Sequence, residues 1–171
     1  MKPSRAIRTV LGSVFPVALA SITMCQGALA ANAGVLELQG RGVQIYRCTS
    51  SATGTAWVLV GPDATLTDTT GRPVGRHFIG PSWQATDGSI VVGELLASGS
   101  PAIPGTPATA APWLVLRAKS HAGAGRFDAV TYVTRTRTAG GTAPATGCDA
   151  AHVAAEVRVS YSATYTLFGA R

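Results

Sequence analysis

The sequence predicts an all-β protein, a single-domain antiparallel sandwich or small barrel of about eight or nine strands. Short segments rich in β-branched and aromatic residues alternate with Gly- and Pro-rich turns after residue 30. The last segment, residues 157–167, alternates apolar and polar side chains with period two, which is typical of a strand with one buried face. No amphipathic helix of useful length is present, which argues against α/β enzyme folds.

Nine segments have the composition and length of strands. They cover residues 35–38, 42–48, 55–60, 74–78, 82–86, 89–97, 113–119, 127–138 and 157–167. Segments 42–48 and 127–138 are rich in β-branched and aromatic residues, and the alternation is clearest in the last segment.

Turn residues separate these strands in order. Gly61-Pro62-Asp63 is expected to break the third strand, and Gly80-Pro81 forms a corner between the fourth and fifth. Asp87-Gly88 is typical of a tight hairpin. The proline-rich stretch 99–112 is expected to be a surface loop, because prolines lack the N–H donors of a sheet. Residues 148–155 are the only stretch with some helical tolerance.

The first thirty residues have the pattern of a signal peptide. A basic start precedes an apolar run over residues 9–20, and small residues at 28 and 30 supply a cleavage site before Ala31. The run is shorter than a membrane span of about 20 residues, although a retained anchor is the alternative. We therefore expect residues 1–30 to be a signal peptide and residues 31–171 a β-rich domain. The expected location is secreted or periplasmic, with no stable membrane span after cleavage.

The charge of the mature chain is small. Cleavage removes three of the fourteen basic residues and none of the eight acidic ones, so the net charge falls from +6 to +3 (eleven minus eight). Nucleic-acid binding requires a basic face or stripe, and these charges are scattered. No nucleic-acid partner is predicted.

Two cysteines remain after cleavage, Cys48 and Cys148. In an oxidising compartment such a pair usually forms a disulfide, and this one would close a loop of about 100 residues. A redox or metal-binding thiol pair is the alternative, but no C-x-x-C spacing supports it.

Several motifs are shared with a known family. They are GVQIYRC (42–48), GRHFIGPSW (75–83), DGS (87–89), PWLVL (112–116) and TAGGTAP (138–144). Together they resemble an uncharacterised family of exported bacterial and fungal proteins, a domain of unknown function. The resemblance implies export and one β-rich domain, and it implies no activity or ligand. Some fungal relatives carry a malate dehydrogenase label, but no G-x-G-x-x-G motif supports that chemistry here.

His77 and Trp83 flank the Gly80-Pro81 corner and are the first candidates for a ligand site. An imidazole there could act as a general base or a ligand, or it could fix the corner by bonding a backbone carbonyl. Trp83 is a candidate ligand platform, whereas Trp57 and Trp113 are expected in the core.

Two carboxylates are further candidates, Glu94 and Asp87. If residues 89–97 form a regular strand, Glu94 shares a face with apolar side chains and must be paired, protonated or in a cleft. The alternatives are a register shifted by a bulge, or an ion pair with an arginine such as Arg117 or Arg135. Arg135 and Arg137 could themselves bind an anion, or lie on a solvated strand face.

Three hypotheses for function follow. The first is a module that binds a small-molecule or saccharide ligand near the His77–Trp83 corner. The second is a hydrolase or isomerase that uses His77 with Glu94 or Asp87 as an acid–base pair. The third is a structural or surface-interaction protein. No cofactor is predicted, and no metal site is predicted because the histidines at 77, 121 and 152 lack ligand spacing.

Overall fold

The computed structural model describes residues 34–100 and 110–171, which form eight antiparallel strands closed into a barrel. The strands are β1 (Gly34–Ser51), β2 (Gly54–Thr67), β3 (Pro73–Phe78), β4 (Ser82–Ala85), β5 (Ile90–Gly99), β6 (Trp113–Ala122), β7 (Tyr132–Gly140) and β8 (Glu156–Ala170). Each strand pairs with the next in sequence, and β8 pairs with β1 to close the ring. The all-β prediction is confirmed. Of the two predicted architectures, sandwich and barrel, the structure has the barrel.

Two local predictions about the first strands are wrong. The segments 35–38 and 42–48 belong to one strand, β1, and the Gly61-Pro62-Asp63 sequence lies inside β2. The pairing of β2 with β1 shifts by one residue at Val60, next to this sequence. A bulge of this kind absorbs an extra residue and bends the strand, so that the strand continues through residues that usually end one.

Residues 127–131 also differ from the prediction, because they belong to a connection before β7 rather than to the strand itself. Phe127 and Val130 from this connection are fully buried. Their side chains join the core inside the barrel, and burying an apolar side chain of this size contributes about 1.5–3 kcal/mol.

The apolar core lies towards one end of the barrel. It includes Leu38, Leu66, Val74, Ala85, Val91, Phe127, Val130, Val133 and Leu167. In β1 and β3 the core positions are near the start of the strand, and in β2, β4 and β8 they are near its end. Because successive strands are antiparallel, these positions meet at the same end of the ring.

The predicted disulfide is confirmed. Cys48 and Cys148 are bonded with a Cα–Cα distance of 5.3 Å and a sequence separation of 100. Backbone hydrogen bonds of 2.9 Å also join Cys48 to Ala154 and Ala155. The disulfide therefore fastens the connection between β7 and β8, which holds the short 3-10 helix Ala150–His152, to the end of β1.

Two other predictions fall wholly or mostly outside the described residues. The signal peptide, residues 1–30, lies outside them, as does most of the proline-rich stretch, residues 101–109. Among the described residues, no helix has the length and apolar character needed to cross a membrane.

Reducing the disulfide is expected to lower the free energy of unfolding by about 2–5 kcal/mol, because the cross-link restricts the unfolded chain over a long loop. Urea unfolding of the oxidised and reduced protein measures the difference. A double variant, Cys48→Ala with Cys148→Ala, is the control and should not respond to reductant. Equal midpoints for the oxidised and reduced wild type would contradict a stabilising role.

Candidate functional site

A cavity of about 470 Å³ lies at the end of the barrel away from the apolar core. In β1, β3, β5 and β7 the lining residues come after the core residues in sequence. In β2, β4 and β6, which run in the opposite direction, the lining residues come before the core residues or next to them, so all of them lie at the same end. The lining consists of Gln44, Tyr46, Leu59, Val60, Gly61, Pro62, His77, Gly80, Pro81, Trp83, Leu95, Ser98, Ala111, Pro112, Leu114, Leu116, Arg135 and Tyr165. Most of these side chains are apolar. The cavity is thus the unfilled end of the barrel interior.

Three aromatic rings separate the cavity from the core, and we call His77, Trp83 and Tyr165 the aromatic floor. His77 and Trp83 are directly opposite each other on β3 and β4, and their rings stack with centroids 4.4 Å apart and planes at 10°. The Tyr165 ring packs edge-on against both, at 5.0 Å from His77 and 5.7 Å from Trp83. Aromatic contacts of this geometry stabilise by about 0.5–1.5 kcal/mol beyond their buried area.

Two glycines make room for the aromatic floor. A Cβ atom on Gly40 of β1 would lie 2.6 Å from Cε2 of Tyr165, and one on Gly93 of β5 would lie 3.0 Å from Cζ3 of Trp83. The first distance is shorter than real Cβ atoms show, and the second would force the Trp83 ring to shift by a few tenths of an ångström. The rings therefore lie against strands that carry no side chain at the point of contact.

His77 is buried and neutral. Its Nδ1 lies 2.9 Å from the backbone oxygen of Ser82, and since a carbonyl only accepts, Nδ1 carries the proton. Burial lowers the pKa of His77 to about 3, the charge of Arg135 lowers it further, and the bond to Ser82 opposes the shift. The other ring nitrogen, Nε2, is consequently a hydrogen-bond acceptor at neutral pH. The hydrogen bond to Ser82 matches one of the two roles considered for this residue, that of fixing the corner.

Among the described residues that line the cavity, Arg135 is the only charged one, and it is 6% exposed. Its Nε and Nη2 atoms both donate to the backbone oxygen of Pro112, at 3.1 and 2.9 Å. That carbonyl is held in place because residues 110–112 are bonded to the end of β7, including a 2.6 Å bond from Thr138 Oγ1 to Ala111. The guanidinium is thus fixed at the cavity wall by backbone.

Arg135 has no carboxylate partner. All eight acidic residues of the sequence lie within the described residues. Seven of them pair with other basic side chains. The eighth, Asp87, accepts from Ser89 and from the backbone N–H of Arg126. A buried charge is normally paired. Arg135 is the only charged residue in the described part of the chain that is buried, and it has no carboxylate partner.

Two further polar atoms of lining residues are buried without a hydrogen-bond partner among the described residues. They are the acceptor Oε1 of Gln44 and the donor Nε1 of Trp83. The neighbouring Tyr46 is satisfied, because its hydroxyl donates to the backbone oxygen of Gly141 at 2.6 Å. An unsatisfied buried polar group costs about 1–3 kcal/mol, and sites of this kind call for a functional explanation.

The sequence-predicted candidates divide into two groups. His77 and Trp83 line the cavity together, whereas Glu94 is exposed and forms a 2.7 Å ion pair with Arg117. Glu94 does share a face of β5 with Ile90 and Val92, but it is the outer face, because the intervening Val91 and Gly93 are the buried residues. The ion pair with Arg117 is one of the alternatives considered for Glu94.

Asp87 lies in the turn between β4 and β5, at the core end of the barrel. It accepts from the hydroxyl and the backbone N–H of Ser89, and these bonds lower its pKa. A smaller depression of about 350 Å³ beside Asp87 also includes Arg72 and Arg126. This residue orders the turn and is not part of the cavity lining.

The other two tryptophans are not in the core, contrary to the prediction. Trp57 and Trp113 are both half-buried. The indole N–H of Trp57 donates to the backbone oxygen of Thr146 at 2.9 Å, and the Trp113 ring lies over Gly99. Both therefore cover backbone on the outside of the barrel, where an aromatic ring with a polar group is well suited to lie.

Arg135 and Arg137 do not share a strand face. The pairing of β7 with β8 shifts between Thr136 and Ala139, and Arg137 has a positive φ of 49°. As a result, Arg137 points outward with a side chain 70% exposed, near Glu37. The available sequence signal for Arg135 was its position two residues after Val133, a core residue of the same strand. Gln44 had no such signal.

No group of three or more His, Cys, Asp or Glu side chains in residues 34–100 and 110–171 is arranged to hold a metal ion. The chemistry of the cavity residues is instead that of hydrogen bonding and charge, with one fixed cation, one neutral imidazole and two unsatisfied polar atoms. Such an arrangement can orient a ligand inside an apolar chamber.

We expect His77 to make the protein less stable in acid. Its pKa is about 3 when folded and about 6.5 in an unfolded chain, so below pH 6.5 only the unfolded state takes up this proton. Stability is then lost at up to about 1.4 kcal/mol per pH unit as the pH falls towards 3. His77→Phe removes this proton uptake, so between about pH 7.5 and about pH 5 the variant should gain about 2 kcal/mol relative to wild type.

Urea unfolding at the two pH values measures this change. His152→Gln, which removes an exposed imidazole, is the matched control and should keep the wild-type response. If His77→Phe and wild type lose stability in parallel, His77 is not buried and neutral.

The chain matches one family over nearly its whole length. Residues 30–169 match the family described as "Protein of unknown function (DUF3455)". No curated protein and no solved structure matches the chain. The match agrees with the resemblance to a domain of unknown function seen in the motifs, and it covers far more than half of the sequence. The chain belongs to this family of proteins of unknown function, DUF3455.

Proposed function

We propose that this protein is an exported binding module that holds one small, mainly apolar ligand in the cavity of the barrel. The observation that carries the proposal is the cavity itself. Its volume of about 470 Å³ is within the range of about 300–1,000 Å³ that is usual for small-molecule sites. Eight-stranded barrels have an interior of suitable width for one small ligand.

The lining supports a ligand with a large apolar part and few polar groups. Small-molecule sites combine hydrophobic walls with a small number of fixed polar groups that orient the ligand. Here the polar groups are His77, Gln44, Trp83 and Arg135, and two of them carry buried atoms without a partner. A ligand that forms hydrogen bonds with these atoms would offset the free energy lost by burying them without partners. These polar atoms therefore suit a wall of a binding site better than a purely apolar core.

Binding is better supported than acid–base catalysis. The enzyme hypothesis pairs His77 with Glu94 or Asp87, yet the contacts of His77 are with Ser82, Trp83 and Tyr165. Glu94 bonds to Arg117 on the outside of the barrel, and Asp87 bonds within its turn. Because neither carboxylate contacts His77, the histidine acts as a fixed wall and hydrogen-bond acceptor.

A purely structural domain is also less well supported. Such a domain would not need a buried arginine without a carboxylate partner at the wall of an apolar cavity. Export is supported by the disulfide between Cys48 and Cys148, since such bonds persist in oxidising compartments.

Leu95→Trp is expected to weaken ligand binding at least about tenfold, because Leu95 lines the cavity at its rim and a larger ring would occupy that space. Leu96→Trp is the matched control. Both leucines are about half exposed, at 54% and 52%, and adjacent on β5, but only Leu95 lines the cavity. The control variant should stay within about twofold of wild type, about the 0.5 kcal/mol scatter typical of surface substitutions.

Isothermal titration calorimetry provides the measurement, with decanoate, methyl decanoate, naphthoate, methyl naphthoate and maltose as probes. Thermal shift is the second readout, because a ligand that binds only the native state raises the unfolding midpoint. The proposal fails if no probe binds, or if Leu95→Trp and Leu96→Trp weaken binding equally.

A further inference from the structure

We infer that the ligand is an amphipathic monoanion, an apolar molecule with one carboxylate group that binds Arg135. This inference rests on the proposed ligand cavity and adds the chemical class of the ligand. The features that carry it are Arg135, a buried cation without a carboxylate partner, and the aromatic floor beside it.

The buried charge of Arg135 calls for an anion. A guanidinium removed from water costs free energy unless an anion or several hydrogen bonds replace the lost hydration. The carbonyl of Pro112 accepts from two of its nitrogens, and none of the eight acidic residues contacts it. A guanidinium has five N–H donors; two bond to Pro112 and one interacts with the Tyr165 hydroxyl, so donors remain for a ligand oxyanion at the cavity wall.

The position of Arg135 is fixed before any ligand arrives. Its Cα is paired with Leu114 on β6 and with Tyr165 on β8, and its guanidinium is bonded to the backbone at Pro112. A pre-positioned donor loses little side-chain freedom when it binds, so more of the interaction energy appears as affinity. Arginine is also the side chain whose planar fork matches the geometry of a carboxylate.

The charge balance favours a monoanion. Arg135 carries the only formal charge among the lining residues that the structure describes, because the low pKa of His77 keeps that residue neutral. One carboxylate neutralises one guanidinium, whereas a phosphate dianion would leave an uncompensated negative charge in an apolar chamber.

The remaining lining residues fit the apolar part of such a ligand. The aromatic floor contacts it from below, and side chains such as Leu59, Pro62 and Leu114 form walls. A saccharide would present many hydroxyl groups, and the lining offers few partners for them. The cavity therefore fits a carboxylic acid with an alkyl or aromatic body better than a sugar.

The test compares each carboxylate with its own neutral ester on the wild-type protein, so it does not depend on any variant folding. Decanoate should bind at least about tenfold more tightly than methyl decanoate, and naphthoate more tightly than methyl naphthoate. Decyl phosphate should bind more weakly than decanoate. Calorimetry at neutral pH provides the affinities.

Variants then test whether Arg135 causes the difference in affinity between the carboxylates and their esters. In Arg135→Gln the preference for acid over ester should fall to within about twofold, while methyl decanoate should bind nearly as before. The matched control is Arg137→Gln, an exposed arginine on the same strand, which should keep the full preference. Circular dichroism and unfolding midpoints check that both variants fold. If Arg135→Gln does not fold, Arg135→Lys replaces it and should reduce the preference, because an ammonium lacks the planar fork.

The outcomes are distinguishable. If wild type binds the ester as tightly as the acid, or decyl phosphate more tightly than decanoate, the carboxylate inference is wrong and the ligand cavity stands. If Arg137→Gln loses the preference as Arg135→Gln does, the anion binds at the surface and the inference is also wrong. If no probe binds, both the inference and the proposed function fail.

Discussion

The contact between Trp83 and Tyr165 spans the interior of the barrel, and the organisation of the site depends on it. β4 and β8 are four strands apart in either direction around the ring, so their inward side chains meet across its full width. With His77 stacked on Trp83, the rings close the barrel at this level. Apolar side chains fill one side of this layer, and the cavity occupies the other.

Most charged side chains lie on the outside of the barrel, and one, Arg135, lies inside it. In five of the seven ion pairs among the described residues both side chains are at least 43% exposed, where each pair contributes little to stability. Arg135 is the exception, a buried cation held by a backbone carbonyl next to the aromatic floor. Its burial opposes folding in the absence of an anion, and that cost is the physical basis for linking this fold to an anionic ligand.

The sequence predicted the all-β fold and that His77 and Trp83 lie near one corner, but not which faces of β5 and β7 point into the barrel. Gly-Pro and Asp-Gly turns fix which strands are neighbours, so the stacking partners His77 and Trp83 could be expected near one corner. The register shift in β7 comes after Arg135 and turns Arg137 outward, whereas Glu94 lies on the outer face of β5, a face that alternation alone does not distinguish from the inner one. A shift of one residue moves a side chain to the other face of the sheet, and bulges leave no clear pattern in a single sequence.

The most direct test of this account is the side-chain NMR signal of Arg135 during a titration with decanoate. The Nε–H resonance of a guanidinium responds to a bound carboxylate, and Arg137 on the same strand serves as an internal reference. We expect saturable shifts at Arg135 and at the His77 ring, with Arg137 unchanged. Shifts confined to Arg137 and other exposed residues, with Arg135 and His77 unmoved, would contradict a ligand site inside the barrel.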